Sequence, residues 1–151
     1  MPKKKSRSKK SPAKKPARRV STEPVKVSTG RGPSALEVGT DLVAMFNQGL
    51  MQQVDDKWHS PKILSIEGAG VSMGWSGRKG VRAKGDQWMA NHTIHGASAE
   101  GPFVGASGFA VRFRMDVETK DTGKREMMEE IGVYTVQNGK IVREEFMYSR
   151  M

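Results

Sequence analysis

Three groups of residues in this 151-residue chain have the types and spacing to move protons. The first lies in "EEIGVYTVQNGKIVREEFMY", residues 129–148, where Glu129 and Glu144 fall among apolar and aromatic side chains. A carboxyl group buried without a partner either costs stability or keeps its proton to higher pH, so acids set into an apolar surface point to a pocket that uses them. The second is Glu67, which closes the apolar run "ILSIEG". The third is His95, with His92 three residues before it and His59 elsewhere, since an imidazole both takes up and releases a proton near neutral pH. These types suit a site in which Glu67 or His95 moves a proton while Glu129 or Tyr148 polarises a ligand oxygen. His-x-x-His without a further spaced ligand is a poor metal signature, cysteine is absent, and there is no Gly-rich phosphate loop or nucleophile elbow. Neither a metal nor another cofactor is expected.

The elements that must position these groups follow from pattern. Asn138-Gly139 is a strong two-residue hairpin signal, both residues tolerating positive φ. Counting back from it puts Thr135 opposite Val142, Val133 opposite Glu144, Ile131 opposite Phe146 and Glu129 opposite Tyr148, all on one face because side chains alternate. Glu130, Gly132, Tyr134, Arg143, Glu145 and Met147 then fall on the other. Upstream, Leu36, Leu42, Val43, Phe46, Leu50 and Val54 recur at helical spacing, with a break at Gly49. "KILSIEG" reads as a strand, "GRKGVRAKGDQWMANH" as a helix, and "TIHGASAEG", "GFAVRFRMDVET" and "REMMEEIGVYTV" as strands. Helices first and an antiparallel meander afterwards predict an α+β domain.

Charge divides the chain. Residues 1–35 hold 12 of the 26 Lys and Arg but one of the 16 acids, so the basic balance belongs to the tail and the rest is near neutral. A Lys/Pro/Ser-rich segment without aromatic residues buries too little to offset its ordering entropy, and residues 1–34 are expected to be a disordered tail separable from a domain at 35–151. Such a tail is suited to weak, non-specific, salt-sensitive contact with nucleic acid. No apolar run spans a membrane and no signal-peptide pattern follows the basic start, which leads to an expectation of a cytoplasmic protein, with nucleoid or nuclear association open to the tail.

The element order, "GRKGVRAKGDQWMANH" after the first strand and the closing "VYTVQNGKIVREEFMY" together resemble the SnoaL-like family of the nuclear transport factor 2-like (ketosteroid isomerase-like) superfamily. The resemblance implies a cone-shaped fold, with N-terminal helices packed on a curved, mainly antiparallel sheet that encloses a pocket, and a homodimer through the sheet's outer face. Aligned with the ketosteroid isomerase hairpin, Glu129 falls where a neutral carboxyl donates to the ligand oxygen, and Phe146, Tyr148 and Trp88 fall on the walls. Glu67 falls within one residue of the proton-shuttling acid. His92, Ile131 and Glu144 complete the expected lining. Leu42 stands where the oxyanion-binding tyrosine would be, which argues against ketosteroid chemistry itself. The function implied is binding of a small apolar, oxygen-bearing molecule, with proton transfer of the isomerase, cyclase or hydratase type catalysed by Glu67, His95 and Glu129. The competing reading is a non-catalytic sensing or dimerisation module tethered to nucleic acid by its tail.

Overall fold

The computed structural model describes residues 2, 8–68, 70 and 73–148. The elements run α1 (Ala35–Asn47), α2 (Met51–Trp58), β1 (His59–Glu67), β2 (Met73–Ser76), α3 (Arg78–Asn91), β3 (His92–Val104), β4 (Gly108–Thr119), β5 (Arg125–Gln137) and β6 (Lys140–Tyr148). This is the α+β architecture expected, with one addition: β2 is a four-residue edge strand on β1, too short and too rich in Gly and Ser to carry a strand signal of its own.

A capping box starts α1. The Ser34 hydroxyl accepts from the Glu37 N–H at 3.2 Å, and the Glu37 carboxylate accepts from the Ser34 N–H at 2.7 Å. Val38, Leu42 and Phe46 then repeat every fourth residue and are all buried. Gly49, at φ +78, turns the chain into α2, which buries Val54 and Trp58. Both helices pack on the concave face of the sheet, where Val111, Phe113, Met115 and Val117 of β4 alternate inward. By contrast α3 buries only Val81, lacks a side-chain cap, and contains Gly80 and Gly85 with no atom near where a Cβ would stand. It is held by what its longer side chains reach.

The six strands form one mixed sheet in the order β2-β1-β6-β5-β4-β3, antiparallel throughout except for β1 against β6. The β5–β6 hairpin departs from the register counted back from its turn. Val136 pairs with Ile141 as expected, but the next pair is Thr135 with Arg143, so Val142 is a one-residue bulge. Beyond it Tyr134 faces Glu144, Gly132 faces Phe146, and Glu130 faces Tyr148. The inward set on β5 is therefore Glu130, Gly132 and Tyr134, and the expected inward positions of Glu129 and Ile131 are corrected to outward ones. Because the bulged residue is on β6, Glu144, Phe146 and Tyr148 remain inward.

Residues 8–28 have no regular secondary structure and are almost wholly exposed, but the tail is not free up to residue 34. The Asn138 side chain accepts from the Arg31 N–H at 3.0 Å, the Asn138 N–H donates to the Thr29 carbonyl at 3.0 Å, and Gly30 and Gly32 lie against the turn. Gly30 sits where a Cβ would meet the Asn138 side-chain oxygen at 1.9 Å, and its φ of +82 independently favours glycine. Deleting residues 1–27 should therefore leave the denaturation midpoint unchanged. Deleting residues 1–34 removes the Ser34 cap and the turn contact, and should lower stability by about 1–2 kcal/mol. Urea melts of the three chains check this.

Candidate functional site

The polar residues of the concave face gather between α3 and strands β1, β5 and β6. His59 begins β1 directly after α2 and is 3 % exposed. One helical turn earlier, Asp55 projects on the same side of α2, an i,i+4 relation that brings its carboxylate within 3.4 Å of His59 Nε2. The parallel pairing of β1 with β6 sets Ser65 beside Glu144, and places the Glu144 carboxylate 3.4 Å from the same His59 nitrogen. Ser65 and Glu144 are both buried. The Arg78 guanidinium fixes this corner by donating to the His59 carbonyl.

From the other side Lys84 reaches down from α3. Its ammonium donates to Ser65 Oγ at 2.9 Å and to Glu67 at 2.5 Å, and stands 5.1 Å from the ring centres of both Trp75 and Phe146. Tyr134 lies under the cluster, stacked on Phe109 at 4.8 Å and edge-on to Phe146 at 6.1 Å. The result is a chain of polar groups from Asp55 through His59, Glu144, Ser65 and Lys84 to Glu67, with Glu130 facing it.

Environment separates these acids. Burial acts most strongly on Glu144 and pushes its carboxyl up, but the hydrogen bond and charge of His59, with Ser65 and Lys84, outweigh it and hold the group below the ordinary carboxylate range. Asp55 goes the other way, since burial exceeds the attraction of His59. Glu130 is pushed up to about 7, first by burial and then by the negative charge of Glu67, against the pull of Lys84. Burial, with the charges of Glu144 and Glu130, drives the Tyr134 phenol well above its ordinary value and keeps it a hydrogen-bond donor. One face thus offers an ionised carboxylate in contact with an imidazole and a second carboxyl that titrates near neutrality, the pairing acid–base chemistry needs.

Of the residues singled out from sequence, Glu67, Glu144 and Phe146 come together here, and Tyr148 stands opposite Glu130 at the end of β6. Trp88, half-buried, packs against the core. His92 stacks on Trp88 at 4.3 Å and its Nδ1 lies 2.8 Å from the Trp88 carbonyl, so it closes the end of α3 rather than joining the acids. The remaining three face away. Glu129 is exposed on the convex face, bound by Arg112 at 2.6 Å and Arg114 at 3.4 Å, and the Arg112 hydrogen bond lowers its pKa; it is not a neutral pocket acid. Ile131 is 37 % exposed on that same face, and His95 pairs there with Glu118 at 2.8 Å. Asp55, Ser65, Trp75, Lys84 and Glu130 were not anticipated, and His59 was noted only as a third histidine, although two signals were present. Asp55 and His59 stand four apart where a helix ends, and Lys84 shares one side of α3 with Val81 and Trp88.

The family described as "SnoaL-like domain" matches residues 34–148. A crystal structure of a candidate SnoaL-like polyketide cyclase from Mesorhizobium loti is 39% identical, covers 75% of this chain and 97% of its own, and superposes with a TM-score of 0.71. Candidate polyketide cyclases from Jannaschia (13% identity, 80% and 90% coverage, TM-score 0.63) and Pseudomonas putida (17%, 78% and 93%, TM-score 0.58) share the fold. A comparison with curated proteins gives no match.

The raised pKa of Glu130 has a definite sign. A carboxyl that holds its proton longer folded than unfolded contributes stability below the unfolded value of about 4.5, and that contribution is lost as the pH rises to about 7. Glu130→Gln should thus gain on wild type across that window, by on the order of 2 kcal/mol at pH 8 after allowing for partial exposure. Urea melts at pH 4.5 and pH 8 check it: equal differences at the two values would mean that the acid titrates alike in both states.

Proposed function

Because the chain belongs to the SnoaL-like domain family, we propose that it binds a small molecule on the concave face and moves a proton on it. The observation that carries this reading is the buried His59 held against two carboxylates, Asp55 and Glu144. Glu144 takes the proton and His59 receives or returns it, with Asp55 fixing the imidazole. The Lys84 ammonium and the Tyr148 hydroxyl meet negative charge that develops on a ligand oxygen, and Glu67 sets the position of Lys84. Trp75, Phe146 and Trp88 exclude water, which strengthens each of these interactions. Isomerisation and aldol-type cyclisation begin with such a step, and in hydration the same base takes its proton from the attacking water.

Opening of 5-nitrobenzisoxazole, which needs only a positioned base, reports this capacity directly. The full chain should accelerate it over buffer. Glu144→Gln and His59→Asn should each remove on the order of a hundred-fold of that acceleration, while Glu129→Gln on the opposite face should leave it unchanged. Equal rates for wild type and Glu144→Gln would end the assignment.

We further propose that the convex face pairs two copies of the chain and that the basic residues before 28 contact nucleic acid non-specifically. Leu64, Phe103, Met127, Ile131 and Met147 are exposed on that face or its rim, between Arg112, Arg143 and the acids Glu129 and Glu145. Sedimentation should give a dimer at micromolar concentration, and a monomer for the Ile131→Lys, Met147→Lys double variant. A monomeric wild type would overturn the pairing.

A further inference from the structure

We propose that the concave site takes a ligand carrying a protonated amine on an apolar body, with the ammonium resting on Glu130. The inference rests on the reading of this face as a ligand site and names the chemistry it selects.

The charges in the cluster do not balance. Its basic groups are already engaged: the His59 imidazole lies between Asp55 and Glu144, and Lys84 lies on Glu67 and Ser65. Glu130 points into the same space, opposite Tyr148, with no ion-pair partner among the described residues. The groups that face it are Glu67 from β1, Lys84 from α3, Glu144 and Tyr148 from β6, and Tyr134 from its own strand; β4 presents the uncharged Phe113. An anionic ligand would meet repulsion from Glu67 and Glu144, and a neutral one would leave Glu130 unpaired. An ammonium supplies the missing partner.

Two further observations favour an organic cation. The rings of Trp75 and Phe146 already flank an ammonium, that of Lys84, at 5.1 Å each, so the aromatic faces at this site are disposed to hold positive charge. His59 Nδ1, across the ring from the nitrogen that meets Asp55 and Glu144, is buried with no hydrogen-bond partner among the described residues, although a buried polar atom ordinarily has one. A polar ligand atom or the water it carries would satisfy it.

Binding is then linked to ionisation of Glu130. Below about pH 7 the ammonium must displace its proton, so affinity should rise about ten-fold between pH 6 and pH 8 and flatten beyond. Cyclohexylamine, cyclohexanol and cyclohexanecarboxylate share one ring and differ in charge, and the amine stays protonated across this range. Isothermal titration of the full chain should give affinity for the amine at least ten-fold above the other two at pH 8. Glu130→Gln should weaken amine binding and abolish its pH dependence, and Glu129→Gln should change neither. The alcohol or the carboxylate binding as tightly as the amine, or an amine affinity independent of pH, overturns the proposal. If the amine fails to bind while 5-nitrobenzisoxazole is still turned over, the ligand class is wrong and the acid–base site stands. If both are silent, both readings fall.

Discussion

Val142 has no partner on β5, and the face presented by the rest of the hairpin follows from that one unpaired residue. Side chains alternate with a period of two, so a single extra residue in one strand changes which residues of the other strand share its face. Without the bulge, Glu129 and Ile131 would stand beside Glu144 and Phe146, and Arg112 and Arg114 would lose the acid that joins them on the convex side. With it, Glu130 and Tyr134 enter the concave face, and Gly132 leaves room for the aromatic rings: a Cβ there would lie 2.8–2.9 Å from the rings of Tyr134 and Phe113. The bulge thereby sets the composition of the site.

A face so rich in carboxylates is stable only because each has a different resolution of its charge. Removing two like charges from water without compensation is more costly than folding can bear. Glu144 is compensated by His59, Ser65 and Lys84, Glu67 by Lys84, and Asp55 stays at the partly exposed end of α2. Glu130 is left to hold its proton near neutrality. Lys84 is central because it reaches β1 from a helix that has little else to hold it in place. With two glycines and one buried residue, α3 is a poor helix by propensity, and its ammonium contact to Glu67 and Ser65 also anchors it over the site. The same contact that neutralises the acids positions their cover.

Much of the fold was legible because it rests on local signals: the four-residue apolar repeat of α1, the capping residue Ser34, the Asn138-Gly139 turn and the alternation in β4. β2 was not, since four residues containing Gly and Ser carry no period. The bulge was not either, because Val142 is an ordinary strand residue and what decides between paired and bulged registers is the burial of Tyr134 against Phe109, a contact between strands. The error in the site follows from that one step. Glu144, Phe146 and Tyr148 lie beyond the bulge on its own strand and keep their predicted side, whereas Glu129 and Ile131 lie on the partner strand and exchange places with Glu130.

The histidines show why residue type alone does not locate a site. His95 has the more conspicuous neighbourhood in sequence, with His92 three residues away, yet the irregular pairing between Ile94 and Gly96 puts it on the convex face with Glu118. His59 follows an unremarkable "DDKW", but the end of α2 brings Asp55 within reach through one helical turn, and the parallel β1–β6 pairing, which no local pattern encodes, brings Glu144 from 85 positions later in the chain. A parallel neighbour needs a crossover, and here the crossover is most of the domain. The candidate site is therefore a product of long-range pairing: Asp55 and His59 meet through one helical turn, but only the seating of β6 beside β1 adds Glu144 to them.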